Sequence, residues 1–405
     1  MIITEELFRS ALHLTAPWII SLLKFNEGER RLDIWIDFPE GSKFPCPICN
    51  TLDCPVYDTN KRTWRHLDFF EHQTYLHARI PRIKCPHCNV HQVNVPWARE
   101  NSGFTLLMEA MFVLFAQTMQ ISQIAKKFGL RDKQIWRVIE HYVKDAIEKS
   151  DLSEVTSVGV DETSRRKGHE YITVFANLDT GRIIHICKGK DSSTLITFAD
   201  SLKSHKGTLE QISDFCCDMS PAFIKGITET FPKSSIIFDK FHVMKLVNEA
   251  LDEVRRLEQT LNGFLKKTRM IWLKNPSSLT EKQKETLGTL KDMNIKTVRA
   301  YNLKLSLQGL WGMQDIESAN AYFKKWYFWA THSRIHPMVK VAKTIKNHWN
   351  GIINYFNNRF TNGLLEGLNS LIQALKANAR GYRNDDNFMT MIYLRLGQLK
   401  FDLPT

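Results

Sequence analysis

The sequence predicts a multidomain α/β protein, and three observations support that fold class. Two Cys-x-x-Cys pairs indicate a small cysteine-rich unit near the N-terminus, apolar residues at helical spacing follow it, and strands then alternate with helices. A chain of 405 residues can form several units, since one domain usually holds about 100–200 residues. We expect units at residues 1–99, 100–150, 151–240, 241–354 and 355–405, with the third and fifth segments forming one mixed-sheet core.

The charge of the chain favours a polyanionic partner. The formal net charge is +12, and Lys and Arg that neutralise phosphates release condensed counterions. A basic enzyme without such a partner fits the charge equally well. Residues 1–14 lack the basic run and apolar core of a signal peptide. The longest apolar run, 106–119, is interrupted by Glu109 and Gln117 and is shorter than the roughly 18 residues of a membrane span. We therefore expect a cytoplasmic protein without a membrane partner.

Two matched cysteine pairs predict one structural zinc ion. The first pair is Cys46 and Cys49, and the second is Cys85 and Cys88. Four thiolates can close a tetrahedron around zinc, which sulfur-rich sites select, and they leave no open position for a substrate. Proline follows the first cysteine of each pair and helps to set the turn. Free or redox-active thiols are the alternative, and Cys54, His87 and His91 are possible substitute ligands.

The elements predicted around the cysteines are few. Residues 1–44 favour a short helix and then a strand at Arg31–Phe38, and partial alternation predicts a second strand at Gln73–Lys84.

Residues 104–150 favour three helices with a tight turn between the last two. The helices are predicted at about Leu106–Gln117, Ser122–Phe128 and Asp132–Lys149. Gly129 can take the positive φ that ends a helix, and Asp132 can cap the next one. Ile135, Trp136 and Ile139 would pack its inner face, and the side chains offered outward are Arg131, Lys133, Gln134, Arg137 and His141. This layout is typical of a recognition helix in the DNA major groove, although an ordinary helical hairpin has the same pattern.

From residue 155 the pattern predicts a mixed α/β sheet. Three strands joined by tight turns come first, and strands then alternate with helices. The strands are Val155–Val160, Tyr171–Leu178, Arg182–Cys187, Ile212–Cys217 and Ser235–Phe238, and the helices are Ser193–Leu202 and Pro221–Thr230.

Carboxylates follow two of these strands directly. Asp161 follows the first strand and Asp218 follows the fourth. If the two strands are parallel neighbours, their carboxyl ends bring both side chains together, and such a pair calls for a hard divalent cation. Asp239, followed by His242, is a rival for the second position, and we rank these two as supporting or substrate-contact residues. Glu162 adjoins Asp161, but successive strand residues point to opposite faces.

A third carboxylate, Glu366, lies on a predicted amphipathic helix at about Leu364–Ala377. Its polar face carries Asn362, Asn369, Ser370 and Gln373, and the leucines and isoleucine left to pack against the sheet are Leu364, Leu365, Leu368, Leu371, Ile372 and Leu375. Two metal ions roughly 3.5–4 Å apart can activate a water or a 3′-hydroxyl and stabilise the leaving oxygen. Lys376, Arg380 and Arg383 follow closely and could hold DNA phosphates.

Residues 241–354 are helical by pattern, basic early and rich in aromatic residues late. Trp326 or Trp329 could stack on a flipped base, although a core role for these aromatic side chains is favoured.

In their order along the chain, these motifs resemble the ISL3 family of bacterial insertion-sequence transposases. The matching features are the two cysteine pairs, the turn at Ile124–Leu130, Gly159–Glu162, Asp218–Pro221, Asp239–His242, Glu366 within Thr361–Asn369, and Arg380–Arg383. One departure is that Leu364 and Leu365 precede Glu366, where a more polar approach is expected.

The resemblance implies a DDE-type enzyme with a ribonuclease-H-like core, in which 241–354 is a helical insertion. It also implies that Asp161, Asp218 and Glu366 are the catalytic acids and that the protein binds the terminal inverted repeats of its element. We expect two Mg²⁺ ions, for which Mn²⁺ can substitute, together with the structural zinc. Double-stranded DNA is the expected partner, both transposon ends and target DNA, with a homodimer pairing two ends at the nucleoid. The alternative is a DNA-binding regulator on a catalytically inactive scaffold.

Overall fold

The computed structural model describes residues 2–166, 170–358 and 363–403. The chain divides into two units, one formed by the chain up to Ile147 with the residues from Lys400 onward, and one by Glu148–Leu399. No helix within these described ranges is long and apolar enough to cross a membrane.

The first unit combines a sheet with three helices that follow it. Its elements are α1 (Ile2–Ala11), β1 (Ile19–Asn26), β2 (Arg31–Asp37), β3 (Lys43–Phe44), β4 (Cys54–Arg65), β5 (Gln73–Cys85), β6 (Asn89–Gln92), α2 (Leu106–Ala116), α3 (Ile121–Phe128) and α4 (Asp132–Glu148). The sheet has the order β1-β2-β5-β4-β3, and β6 pairs with β5. Strands β2 and β5 agree with the predictions at 31–38 and 73–84. The sequence pattern missed β1 and β4, which lack regular alternation because much of each is exposed.

The turn between α3 and α4 forms as the sequence predicts. Gly129 has φ 64°, and its N–H donates to the carbonyls of Ala125 and Lys126. The N–H of Leu130 donates to the Ala125 carbonyl at 2.8 Å, which completes a left-handed helix end. Ala125 is buried where α3 packs, so its small side chain allows close helix contact. The three helices therefore form within two residues of the predicted bounds.

Glu109, which interrupts the longest apolar run, is fully buried in α2. Its carboxylate accepts hydrogen bonds from Arg99 Nε at 2.9 and 3.0 Å, from Ser102 Oγ at 2.6 Å and from Tyr142 Oη at 3.2 Å. Buried carboxylates are stable only when they are paired and hydrogen-bonded in this way. Glu109 thus joins α2 to α4 and to the segment before α2.

Replacing Glu109 with alanine should destabilise the first unit strongly. The change leaves three donors without their acceptor, and breaking a buried ion pair costs about 3 kcal/mol or more. Thermal or urea unfolding would measure the loss of unfolding free energy. Glu100→Ala, at an exposed position nearby, is the matched control. Equal stability of the two variants would contradict a stabilising role for Glu109.

The second unit consists of a five-stranded sheet and helices. Its elements are β7 (Ser157–Arg166), β8 (Glu170–Asn177), β9 (Ile183–Lys188), α5 (Ser193–Ser204), β10 (Asp214–Cys217), α6 (Pro221–Thr230), β11 (Ser235–Phe238), α7 (Lys240–Gln259), α8 (Arg269–Leu273), α9 (Glu281–Leu290), α10 (Lys296–Gln308), α11 (Ile316–Thr331), α12 (His336–Asn347), α13 (Trp349–Ile353), α14 (Tyr355–Asn358), α15 (Gly363–Asn378) and α16 (Asp385–Leu396).

The sheet of the second unit is mixed, as predicted. Its order is β11-β10-β7-β8-β9. Strands β7, β8 and β9 are antiparallel neighbours, whereas β10 runs parallel to both β7 and β11. All five strands lie close to their predicted positions. The predicted end of the first strand was wrong. Strand β7 does not end at Val160 but continues to Arg166, because it pairs with the antiparallel strand β8.

The helices α7–α13 share one hydrophobic core with the sheet. One continuous hydrophobic cluster runs from the strand residues Val158 and Phe215 to the helix residues Phe323 and Trp326. At Gly351 in α13, an added Cβ would lie 2.5 Å from the ring of Phe238 at the end of β11. The helical prediction for 241–354 is thus confirmed, and these helices share their core with the strands.

Trp326 is a core residue, so the suggestion that it stacks on a base was wrong. Its side chain is 2% exposed, and its Nε1 donates to the Leu303 carbonyl at 2.9 Å. Trp329, three residues later, is 46% exposed.

Candidate active site

Three carboxylates lie at one level across neighbouring parallel strands. Gly159 of β7 pairs with Cys216 of β10, and Cys217 pairs with Phe238 of β11. Two residues beyond the Gly159–Cys216 pair, Asp161 lies beside Asp218. One residue beyond the Cys217–Phe238 pair, Asp218 lies beside Asp239. The sequence predicted Asp161 at the end of its strand. It lies within β7 instead, two residues beyond the last pair with β10.

Asp161 is held on both of its oxygens. Oδ1 accepts from the N–H of Glu162 at 2.8 Å, and Oδ2 accepts from Nδ2 of Asn369 at 2.5 Å. Burial raises the pKa of Asp161 to about 6, and the nearby Asp218 charge acts in the same direction, whereas the Glu162 N–H and His242 oppose it. The site therefore disfavours the ionised carboxylate unless a cation is present.

Asp218 and Asp239 differ in burial. Asp218 is half-buried, and its Oδ1 accepts from the N–H of Ser220 at 2.9 Å. Asp239 is 3% exposed, and its Oδ2 lacks a hydrogen-bond partner although His242 Nδ1 lies 3.2 Å away. The contact with Asp239 raises the pKa of His242. Asp239 is thus as well placed at the strand ends as Asp218, and His242 contacts its carboxylate.

Helix α15 presents a polar stripe to β7. Besides the bond from Asn369 to Asp161, Gln373 Nε2 donates to Thr163 Oγ1 at 2.7 Å, and Lys376 Nζ donates to the Ser164 carbonyl at 2.9 Å. Glu366 lies one turn before Asn369 on this stripe and is exposed. It lines a cleft of about 790 Å³ that Asp239 also lines. The predicted polar face therefore forms, although Asn362 lies outside the described residues.

The apolar face of α15 explains the two leucines before Glu366. Leu365 is 2% exposed and covers Gly159, where an added Cβ would lie 2.7 Å from Leu365 Cδ1 and 2.8 Å from Leu178 Cδ2. Leu364 is half-buried near Gly181. The expectation for Leu371 was wrong, because it is 51% exposed. Gly159 therefore allows the close approach that sets the position of α15 along β7.

Gly159→Ala should displace α15 and impair the DNA cleavage that the family resemblance implies. The extra methyl group overlaps Leu365 and Leu178, and such overpacking costs about 1–3 kcal/mol. We expect reduced thermal stability and slower cleavage, because α15 carries both Asn369 and Glu366. The second variant Gly159→Ala/Leu365→Ala, which removes one of the two overlaps, should recover part of the cleavage rate. Unchanged cleavage by Gly159→Ala would contradict this role.

The carboxylates at the strand ends suit a hard divalent cation by their chemistry. Asp161 and Asp218 are half-buried and Asp239 is buried, side by side. Among the residues that the structure describes, the four paired cysteines form the one group of three or more such residues whose donor atoms all lie within 4.8 Å of one another. The carboxylates are spread more widely than that.

Cys46, Cys49, Cys85 and Cys88 come together as predicted. The first pair lies in the connection from β3 to β4 and the second in the turn from β5 to β6. Asn50 and Asn89, which follow the two pairs, both adopt positive φ, at 56° and 68°. Cys49 Sγ lies 3.5 Å from Cys85 Sγ. The matching turns explain why the same sequence pattern occurs twice.

The electrostatics of the cysteine cluster also fit a cation. Hydrogen bonds from Thr51 lower the pKa of Cys49 to about 6, whereas contact with Cys49 raises the pKa of Cys88. Four thiols this close cannot all ionise without a positive charge between them. Cys54 is buried beside the cluster, but it is outside the group that converges. The predicted ligand set therefore needs no substitute.

The outer face of α4 carries most of the predicted contact residues. Arg131, Lys133, Arg137 and His141 are exposed, while Ile135 and Ile139 are buried. Gln134 differs, because its Oε1 accepts from the N–H of Arg131 at 3.1 Å and so helps to cap α4. Asp132 is the first residue of α4 and is not its cap, and Trp136 is only half-buried. Three cations and His141 therefore remain on this surface.

The basic residues after Glu366 lie at the end of α15. Arg380 and Arg383 are exposed, and Arg380 adopts a positive φ of 54° next to Gly381. Lys376 is half-buried and contacts β7, so it supports the helix as well as adding charge.

Three family models match consecutive parts of the chain. The model described as a transposase matches residues 158–392, which is more than half of the chain. The chain belongs to the ISL3 family of transposases. Residues 42–88 match the zinc finger of the transposases of IS204, IS1001, IS1096 and IS1165, and residues 93–143 match the helix-turn-helix domain of transposase family ISL3.

Curated relatives agree with this membership. The chain is 27% identical over 372 residues to the transposase for insertion sequence element IS1557 of Mycobacterium tuberculosis, covering 85% of this chain and 83% of that protein. It is 25% identical over 372 residues to the transposase for IS1001 of Bordetella parapertussis, covering 90% and 91%. DNA transposition is therefore the function of this ISL3-family chain, which has an N-terminal zinc ribbon and a DNA-binding helix-turn-helix domain.

Sequence reasoning missed several residues of the cleft beside Glu366. Asn248 of α7 and Trp311, in a short turn after α10, line it together with Asp239. They are 55 or more positions from Glu366 along the chain, so only the tertiary fold brings them to the same cleft.

Proposed function

We propose that this transposase is a DDE-type enzyme that hydrolyses and then joins DNA strands with Asp161, Asp218 and Glu366. The observation that carries the proposal is the polar stripe of α15. Asn369 bonds to Asp161, and Glu366 lies one turn further along the same stripe. A helix so placed would bring a distant glutamate toward the strand-end aspartates.

The strand order supports a ribonuclease-H-like core. The sheet contains the antiparallel strands β7, β8 and β9, and β10 and β11 follow parallel to one another on the β7 side. Helix α15 packs across β8 and β9 through Leu368 and Ile372. In this proposal residues 151–240 and the segment expected at 355–405 form the core, except that the chain from Lys400 onward groups with the first unit. Residues 241–354 are inserted between β11 and α15.

The acids would hold two Mg²⁺ ions, for which Mn²⁺ can substitute. Bound there, the metals supply activation of a water or a 3′-hydroxyl and stabilisation of the leaving oxygen. Asn369 fixes the orientation of the Asp161 carboxylate through its hydrogen bond. His242 likewise contacts the Asp239 carboxylate through its Nδ1. Asp239 remains the rival to Asp218 as a ligand, because it is the more deeply buried of the two.

Recognition of the element's ends would fall to the first unit. The zinc ribbon and α4 would bind the terminal inverted repeats, with Arg131, Lys133 and Arg137 facing the DNA. Arg380 and Arg383 would bind phosphates near the acids. A homodimer would pair two ends, since transposition acts on both ends of the element.

A nicking assay tests the proposal directly. The DNA is a duplex that carries an end of the element, taken from the inverted repeats flanking its gene. Cleavage at the end in Mg²⁺ or Mn²⁺, with none in EDTA, is the expected result. Tight binding without cleavage in either metal would instead favour a DNA-binding regulator.

A further inference from the structure

The cleft beside Glu366 has a lining unlike that of a phosphate channel. Its walls come from α7, from the short turn after α10 and from the start of α15. Its lining includes three neutral amides and two aromatic rings, namely Asn248, Asn275, Gln308, Phe241 and Trp311. At about 790 Å³ it lies within the range of small-molecule sites, roughly 300–1,000 Å³. A group the size of a nucleotide therefore fits.

Two polar atoms of residues that line the cleft are buried without a hydrogen-bond partner. They are Asn248 Oδ1 and Trp311 Nε1. An unpaired buried donor or acceptor costs about 1–3 kcal/mol. One acceptor and one donor on residues that line the same cleft favour a ligand with complementary polar atoms.

The rings in the cleft are placed for stacking and for hydrogen bonding. Phe241 is 55% exposed at the cleft, so its ring offers an apolar surface to a ligand. Trp311 is held in place by Phe356, parallel at 6.3 Å, and by Tyr355, edge-on at 5.4 Å. Gln308 Nε2 donates to Asn275 Oδ1 at 2.7 Å, and this bond fixes the orientation of both amides on the cleft wall.

These features match a nucleobase better than they match a phosphate. Amide side chains read base edges, and every base offers a face for aromatic stacking. A phosphate would meet the carboxylates of Asp239 and Glu366 on the same wall, although Lys240 and Lys274 also line the cleft. The unpartnered acceptor of Asn248 suits an exocyclic amino group, and the Trp311 N–H suits a ring nitrogen or carbonyl.

We propose that this cleft binds one unpaired nucleotide of the DNA strand next to the scissile phosphate. The base stacks on Phe241 and bonds to Asn248 and Trp311, which directs the adjoining phosphate toward the acids. The inference rests on the proposed function, because it places the base relative to Asp239 and Glu366. Asn248, Phe241 and Trp311 are thereby assigned as residues that position the substrate.

A binding measurement with a modified DNA tests this without requiring catalysis. The full chain is titrated with a duplex that ends in the element's terminus plus one unpaired flanking nucleotide, on each strand in turn. A second duplex carries an abasic unit at that nucleotide. For one of the two strands, we expect the wild-type protein to bind the intact DNA about tenfold more tightly, near the low end for base–aromatic stacking.

Variants then locate the base. Phe241→Ala should lose this preference for the intact nucleotide, and Trp311→Phe, which keeps a ring but removes the N–H, should lose part of it. Phe328→Ala is the matched control, because Phe328 is 64% exposed and does not line the cleft. It should keep the full preference.

The possible results separate the two proposals. A wild-type affinity that is the same with and without the base overturns the inference, as does a preference that Phe241→Ala retains. Neither result bears on metal-dependent cleavage. Conversely, a protein that prefers the intact nucleotide but never cuts DNA in the nicking assay keeps the cleft site and refutes the DDE assignment.

Discussion

Asp161→Asn should abolish cleavage and strand transfer, by about 10³-fold or more, while leaving affinity for the element's ends unchanged. Metal-assisted charge stabilisation is worth several kcal/mol, and each 1.4 kcal/mol changes a rate tenfold. Asparagine keeps the size of the side chain and can still accept from the Glu162 N–H, so the local fold should survive. Gel-based cleavage and binding assays on the same DNA measure the two effects.

The metal role of Asp161 has an independent readout. Mg²⁺ bound only to the folded protein raises its melting temperature, so the wild type should be stabilised and Asp161→Asn much less. Because burial disfavours the ionised aspartate, the variant should melt no earlier than the wild type in EDTA. Asp179→Asn, at an exposed turn residue, is the control and should behave as the wild type does. Full cleavage by Asp161→Asn would remove Asp161 from the catalytic set.

Cys85→Ser should release the zinc ion and cost the first unit a large part of its stability. Binding of structural zinc is worth about 10–16 kcal/mol in isolated zinc-finger peptides at neutral pH. The loss should be smaller here, because β2, β4 and β5 keep an apolar core around Trp64 and Leu76. Zinc content per chain, circular dichroism and affinity for the element's ends would measure the effects. We expect weaker end-binding with much of the sheet retained.

Cys54→Ser is the matched control for that experiment. Cys54 is buried next to the cluster but does not converge with the four ligands. Zinc stoichiometry should therefore stay at one per chain. Loss of zinc from Cys54→Ser, with retention in Cys85→Ser, would show that the ligand set has been wrongly chosen.

Local patterns predicted the elements whose signals lie within a few residues. The α3–α4 turn at Gly129 and the strand Ser235–Phe238 were found where the sequence predicted them, because a glycine at a helix end and a short apolar run are local features. Strand β4 was missed because its pairing with β5, rather than its own apolar pattern, holds it in place. The extension of β7 past Asp161 likewise depends on β8.

In the candidate site, too, residues with a local sequence signal could be predicted, and residues that depend on distant contacts could not. Asp161 and Asp218 could be paired from strand ends alone, whereas Glu366 required the family resemblance because 148 positions separate it from Asp218. The contact between Gly159 and Leu365 joins two distant segments, so the leucines before Glu366 looked out of place in the sequence. For Trp326 the favoured prediction, a role in the core, is confirmed.

The continuous core between the sheet and α7–α13 has a consequence for how such transposases can diverge. A segment with its own core can be exchanged between relatives as a cassette, but removing α7–α13 would expose Phe238 and the apolar residues packed with it. Inheritance of this segment is therefore tied to inheritance of the sheet. Changes within this segment would therefore be expected as substitutions of single side chains that leave the shared core in place.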